Sequence, residues 1–258
     1  MLNKIIHGDC LEVLPTIETD TIDLIVTDPF YGSSGRDGSV HLEQDDVFGN
    51  RMSSDSFIWF VRQYSSQLFR VSKKDSHCYI FSDWRKYKDV QIAFETNGWE
   101  LRSLIVWDKG NGMGEYWRST HEFILFFTKS KPKKLTHGGC MNVVKFKPIH
   151  GGNKMHSCEK PVELLKYLIE ASSARGETVL DPFAGSSPIA TACLETDRNF
   201  IGIEIEAHNI KKSNLRIAQY QPSLFFLILL AAPYLFLIPH NHRFAACPAL
   251  AGLPAKRS

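Results

Sequence analysis

The strongest constraint on the fold is a repeated alternation of short apolar runs with segments of helical periodicity. Ile22–Thr27 (IDLIVT) has the length and apolarity of a buried strand, and residues 78–81 (CYIF) form another. Between them, residues 55–69 carry apolar side chains at helical spacing, with Ser53, Ser54 or Asp55 available as the N-cap. A second helix is expected over 84–97, ended by Gly98, followed by strands at 101–107 and 123–127. The pattern then resumes with a helix over 160–173 opened by Pro161, a strand at 178–180 and a helix at 189–196. A strand at 200–205 and a charged helix over 206–220 close it. Such alternation predicts an α/β fold with a doubly wound, mostly parallel sheet. The 258 residues suffice for one such domain and are few for two. With 43 % hydrophobic and 22 % charged residues, most of the chain cannot be disordered, collagen-like or coiled coil.

Two stretches depart from the periodicity. Residues 32–50, rich in Gly, Ser and Asp, form a long loop directly after a buried strand, and such loops are usually functional. Residues 129–154 carry seven lysines, two histidines and no acid. They make either a solvated basic turn or a surface that tracks phosphates, where lysines gain affinity by releasing counterions. The choice matters because 30 basic against 28 acidic residues leave the chain near neutral, so only a local concentration of charge could attract nucleic acid. Beyond residue 220 the composition turns apolar and proline-containing, dividing the chain into a domain over 1–220 and an atypical hydrophobic tail over 221–258. The tail's most apolar stretch, residues 224–238, is interrupted by Pro233 and falls short of the roughly 20 residues a spanning helix needs, so a membrane is not expected. Six scattered cysteines without a CxxC pair are expected as reduced thiols, and the early acidic residues do not fit a signal peptide. Both point to the cytoplasm.

Two strand ends carry chemistry. Asp28-Pro29-Phe30-Tyr31-Gly32 follows the first buried strand, where open α/β sheets bind ligands. A carboxylate and an aromatic stiffened by proline could grip a flat polar substrate there, although Asp and Pro also simply end strands in turns. Val179-Leu180-Asp181-Pro182-Phe183-Ala184-Gly185-Ser186-Ser187 is a strand entering a small-residue turn before a helix. Such turns let a ligand approach backbone N–H groups. Glu204 ends the next strand at a spacing where an acid accepts hydrogen bonds from ribose, but a single glycine does not make a dinucleotide fingerprint.

Together with His156-Ser157-Cys158-Glu159-Lys160-Pro161, these segments resemble the amino-directed DNA methyltransferases of bacteria and phages. That family carries an Asp/Asn/Ser-Pro-Pro-aromatic tetrapeptide, an Asp-Pro-Phe-x-Gly-Ser-Gly cofactor turn and a His-Pro-Thr-x-Lys-Pro-like segment before it. Ile6-His7-Gly8-Asp9-Cys10-Leu11-Glu12-Val13-Leu14 and Val106-Trp107-Asp108-Lys109 are further landmarks, in the motif order of the circularly rearranged β subgroup. The resemblance implies a Rossmann-like methyltransferase fold, S-adenosylmethionine as cofactor and double-stranded DNA as partner, with a restriction endonuclease as a candidate second partner. It assigns catalysis to Asp28, Pro29 and Tyr31. Ionised Asp28 only accepts hydrogen bonds, and with the Pro29 carbonyl it would hold both hydrogens of an exocyclic amine, while Tyr31 stacks on a base extruded from the duplex. It implies Asp181, Phe183 and Gly185 around the methionine and ribose end of the cofactor, Glu204 at the ribose hydroxyls and Asp9 at the adenine amine. Lys160 and His156 fall in the segment that closes the pocket. An aspartate opening the tetrapeptide favours adenine over a cytosine amine. Lys129, Lys131, Lys133, Lys134, Lys145 and Lys147 become candidate DNA-backbone contacts in a recognition insert over 129–154, and residues 32–50 a loop over the extruded base.

The chain departs from the family pattern at Phe30, which replaces a proline and relaxes its fixed φ. It departs again at Ser187, which replaces a glycine where positive φ is a concern. These departures motivate one alternative, a catalytically weak or inactive DNA-binding protein keeping the fold; the other is methylation of a cytosine amine or an RNA base by the same chemistry. His121-Glu122 reads either as an acid–base pair or as a structural hydrogen bond, and no metal site is expected from the His and Cys spacing.

Overall fold

The computed structural model describes residues 2–31, 53–112, 116–149 and 159–220. The expected loop over 32–50, residues 156–158 and the tail over 221–258 lie outside the described residues. In chain order the strands are β1 (Lys4–His7), β2 (Ile22–Thr27), β3 (Ser72–Ser82), β4 (Glu100–Asp108), β5 (His121–Thr128), β6 (Val143–Lys145), β7 (Thr178–Asp181) and β8 (Asn199–Glu204). The helices are α1 (Cys10–Val13), α2 (Ser54–Val71), α3 (Tyr87–Thr96), α4 (Val162–Ser172), α5 (Pro188–Glu195) and α6 (Ala207–Ala218). Ser53 is the N-cap chosen for α2, its hydroxyl accepting from the Ser56 N–H at 3.1 Å. Gly98, at φ 93°, follows α3 as expected.

One sheet joins the described strands in the order β1-β8-β7-β2-β3-β5-β4-β6. Only β5 runs against the rest, pairing antiparallel with β3 and β4. Every residue of β2 is buried. Ile22 and Ile25 enter the core beneath α1, α2 and α3, whereas Leu24 and Val26 enter the core beneath α4, α5 and α6. Two-sided burial explains why β2 reads as an almost continuous apolar run. Its one charge, Asp23, is matched by Lys73 Nζ at 2.5 Å and by the Thr178 N–H at 2.9 Å.

The chain leaves β2 for β3 on one side and leaves β7 for β8 on the other, so β2 and β7 flank the switch point of the sheet. Their pairing, Leu24 with Val179 and Ile25 with Leu180, brings Asp28 and Asp181 to one crevice. Among the described residues no helix is long and apolar enough to cross a membrane.

The basic stretch is divided by the sheet, which corrects its reading as one phosphate-tracking surface. Thr128 pairs with His77, and the Lys129 and Lys133 N–H groups bond to Ser76 and Asp75. Lys129, Lys131, Lys133 and Lys134 therefore leave at the end of the sheet opposite Asp28. Lys129 is only 7 % exposed, and its Nζ donates to the Ser72 and Phe69 carbonyls at 2.6 and 2.7 Å and to Asp20 at 3.1 Å. An ammonium has three donors, and all three are used here, so Lys129 acts as a structural clamp. Lys133 is paired with Glu177 at 2.8 Å. Lys145 pairs in register with Asp108 at the end of the sheet where Asp28 lies, and Lys145 and Lys147 are both exposed there. Lys129→Met should lower folding stability by about 2–4 kcal/mol by orphaning buried acceptors, leaving DNA affinity unchanged in the folded protein. Lys145→Ala should do the reverse, and denaturant midpoints beside DNA titrations at two salt concentrations check both.

Candidate active site

Asp28 leaves β2 with its carboxylate partly buried and both oxygens engaged. Tyr31 donates its hydroxyl to Oδ1 at 2.7 Å, and Lys160 Nζ lies 2.6 Å from Oδ2. Lys160, expected beside the cofactor, is thus brought onto the Asp28 carboxylate, with its Nζ also 5.6 Å above the Tyr31 ring. Glu122, the second residue of β5, adds a second carboxylate 3.1 Å from Lys160 and 3.1 Å from Lys109. Burial pushes the Asp28 carboxyl above its ordinary range despite Lys160, and the like charge of Glu122 adds to the rise. Burial works the same way on Glu122, yet Lys160 and Lys109 outweigh it and hold that carboxyl below its ordinary range.

Across the switch point, Asp181 ends β7 fully enclosed. Its Oδ1 accepts from Thr27 Oγ1 at 2.7 Å and from the Phe183 N–H at 3.1 Å. Burial pushes its carboxyl up to about 7, the two hydrogen bonds pulling back and the charges of Asp28 and Glu204 adding to the rise. The turn that follows is held by Glu204, whose Oε2 accepts from the Gly185 N–H and whose Oε1 accepts from the Glu206 N–H, both at 2.7 Å. Each carboxylate oxygen has a second lone pair, so these contacts leave acceptor capacity. Gly185 is at φ 52°, and a Cβ there would meet open space. Asp9 caps α1, accepting from the Leu11 N–H at 2.8 Å, while Gly8 N–H bonds to the Glu204 carbonyl.

This donor set suits a cationic ligand bearing hydroxyls. Asp28, Asp181 and Glu204 crowd negative charge into a crevice, and open space above Gly185 lets such a ligand approach the turn. Glu159 and Lys160 strap the two halves together: Glu159 accepts from Arg216 of α6 at 2.6 Å and from Ser186 at 3.4 Å, while Lys160 reaches Asp28.

Phe30 and Ser187 both find local partners. The Phe30 ring stacks on Phe60 with centroids 5.1 Å apart and meets Phe183 edge-on at 6.3 Å. Phe183 also packs against Tyr64 at 5.2 Å, so its ring is directed into this aromatic cluster. Ser187 does adopt the left-handed conformation, at φ 59° and ψ 48°. Its hydroxyl donates to Ser213 Oγ at 2.9 Å, which donates to the Gly185 carbonyl at 2.8 Å. A left-handed L-residue costs about 1–2 kcal/mol and a buried hydrogen bond returns about 1, so the substitution is close to balanced.

Sequence reasoning weighed Glu122 only together with His121, as an acid–base pair or a structural hydrogen bond, and placed Lys109 in a family landmark without giving it a role. His121 is not the partner of Glu122; its ring lies against Phe123 at 5.0 Å.

Residues 22–215 match the family model described as DNA methylase, for N6 and N4 methyltransferases. The YubD protein of Escherichia coli (strain K12) is 29 % identical over 224 residues, which cover 86 % of this chain and 93 % of YubD. Type II methyltransferase M.HpaI of Haemophilus parainfluenzae is 28 % identical over 243 residues, covering 84 % of this chain and 74 % of its own. Among solved structures, the M1.HpyAVI–SAM complex shares the fold with a TM-score of 0.61 at 23 % identity, covering 83 % of this chain and 98 % of that one.

The raised Asp181 carboxyl has a measurable consequence. The folded protein keeps this proton up to about pH 7, whereas the unfolded chain releases it near its ordinary value of 3.8. Native protein therefore binds more protons in that window, and stability from this group falls as pH rises through it. Asp181→Asn, which retains an oxygen for Thr27, should gain on wild type progressively between about pH 4 and pH 7. A stability difference independent of pH across that interval would refute the assignment.

Proposed function

The chain belongs to the DNA methylase family, and on that premise we propose that it methylates the exocyclic amine of adenine in a specific site of duplex DNA. The observation that carries the reading is the pairing of two carboxylate-bearing strand ends across one switch point, Asp28-Pro29-Phe30-Tyr31 after β2 and Asp181 with its glycine turn after β7. Aspartate at the head of the tetrapeptide supports adenine over a cytosine amine.

S-adenosylmethionine, when bound, supplies an electrophilic methyl group on a sulfonium. The protein's task is to make a poor nucleophile competent, because the lone pair of an aromatic amine is delocalised into its ring. Asp28, as an ionised acceptor, takes one amine hydrogen and the Pro29 carbonyl takes the other, which turns the lone pair towards the methyl group. Tyr31 stacks on the base after it leaves the duplex. Asp181, Gly185 and Glu204, with Asp9 and the backbone beside Phe183, are the residues that would hold the cofactor; its positive charge would favour ionised Asp181.

DNA contact is assigned to the catalytic end of the sheet. Exposed Lys145 and Lys147 lie there with Tyr116, Trp117 and Arg118 of the β4–β5 connection, and Trp117 is 99 % exposed. Lysines at that end supply salt-dependent affinity, whereas sequence is read by base-edge contacts. A restriction endonuclease remains the candidate second partner.

Asp28→Ala should reduce methyl transfer by on the order of 10³-fold or more while leaving cofactor binding largely intact. The assay is transfer of radiolabelled methyl to unmethylated DNA, followed by nucleoside digestion. Label in N6-methyladenine supports the full reading; label in N4-methylcytosine keeps the reaction and overturns the base. Absence of label from wild-type protein that binds DNA would favour an impaired enzyme.

A further inference from the structure

Glu122 is the second residue of β5, which among the described strands runs against its neighbours, so the beginning of β5 lies at the end of the sheet where those neighbours finish. Its carboxylate is spanned by two ammonium groups, Lys109 Nζ 3.1 Å from Oε1 and Lys160 Nζ 3.1 Å from Oε2. Lys160 is shared, lying 2.6 Å from Asp28 with only 7 % of its side chain exposed. Asp28, Lys160, Glu122 and Lys109 thus form a chain of alternating charge that is neutral as a whole.

The geometry poses a difficulty for Asp28. Tyr31 covers one of its oxygens and Lys160 the other. An amine hydrogen arriving at Oδ2 competes with Lys160, and an ammonium withdrawn into the interior without a carboxylate is strongly disfavoured. Lys160 can yield only towards an anion already within reach, and Glu122 is at ion-pair distance. Lys160 and Lys109 together hold the Glu122 carboxyl low, whereas burial raises that of Asp28.

We propose that Glu122 is a positioning residue that shares Lys160 with Asp28 and takes Lys160 over when a substrate amine occupies Asp28. The proposal rests on the methyltransferase reading of Asp28 and deepens it by naming the group that releases the carboxylate. No proton or bond changes hands in this step; one hydrogen-bond donor replaces another on Oδ2 while the net charge of the four groups stays constant.

Two variants of the full chain test it, followed by carboxyl-carbon NMR titration of Asp28 and by steady-state methyl transfer. Among the described residues, the other titratable groups facing Asp28 and Glu122 are Tyr31, Lys160, Lys109 and, beyond Thr27, Asp181. Glu122→Gln removes the like charge and leaves Lys160 with Asp28, so Asp28 should titrate lower. Lys109→Gln removes the second cation, draws Lys160 towards Glu122, and should move Asp28 higher. In Glu122→Gln, kcat should fall roughly 10- to 100-fold with the KM values for DNA and S-adenosylmethionine little changed. A merely structural Glu122 would lower stability without shifting Asp28 in opposite directions in the two variants. An Asp28 titration unmoved in both, or a loss confined to KM, overturns the proposal. Should one variant not fold, the direction of shift in the other decides. If wild type transfers no methyl group, the methyltransferase reading fails by itself, while the titrations still decide whether Glu122 governs Asp28.

Discussion

The hydrogen bond from Thr27 to Asp181, 2.7 Å long between residues 154 apart in sequence, marks the constraint on which the site depends. It exists because β2 lies beside β7 in a fixed register, Leu24 against Val179 and Ile25 against Leu180. A slip of one residue would turn the side chains of β2 to the opposite cores and carry Asp28 away from Asp181. The two-sided apolar burial of β2 forbids that slip, so the requirement to fill both cores also aligns the two halves of the site. Fold and function are specified here by the same six residues.

Burying this much charge brings little net stability. Burial is the main reason the carboxyls of Asp28 and Asp181 are raised, with the like charge of Glu122 adding to the first and those of Asp28 and Glu204 to the second. Lys160 and Lys109 compensate the Asp28 side through Glu122, but such buried pairs often do no better than apolar replacements. Asp181 has one hydroxyl and one backbone N–H as its named donors, with no ammonium among them. The uneven provision of cations fits a division of labour: one carboxylate tuned by the protein itself, another left to gain its counter-charge from a ligand.

The sequence made the sheet legible because alternating apolar runs and helical periods survive without knowledge of contacts. The crevice was legible too, since both motifs follow such runs directly. Strand direction was not: residues 123–127 read as one more strand, and nothing in their periodicity states that β5 runs backwards. That reversal sends Lys129 to Lys134 to the far end of the sheet and brings Glu122 to the near one. The same hidden fact therefore accounts for a basic stretch split between the two ends of the sheet and for a carboxylate read only as a partner of His121. β6, three residues within the lysine-rich stretch, was too short to leave a period. Lys129 shows the limit of reading charge from composition, because its environment turns a basic residue into a buried clamp.

Phe30 and Ser187 read as lesions when each is compared with a motif and as accommodations when compared with their neighbours. Proline stiffens a turn by fixing φ, whereas Phe30 is held by a ring stacked on Phe60 and set edge-on to Phe57 and Phe183. Side-chain packing can restrain a backbone as a ring closure does, provided the surrounding rings are themselves fixed. Tyr64 and Phe60, on one face of α2, supply that fixed surface. Because Phe183 belongs to the turn after β7 and Phe30 to the turn after β2, this cluster couples the two more directly than a second proline would. At Ser187 the cost of left-handed backbone is met by a hydroxyl relay through Ser213 to the Gly185 carbonyl, which glycine could not make. Each departure thus exchanges a backbone device for a side-chain one, and moves the rigidity of the site from the turns themselves to α2 and α6.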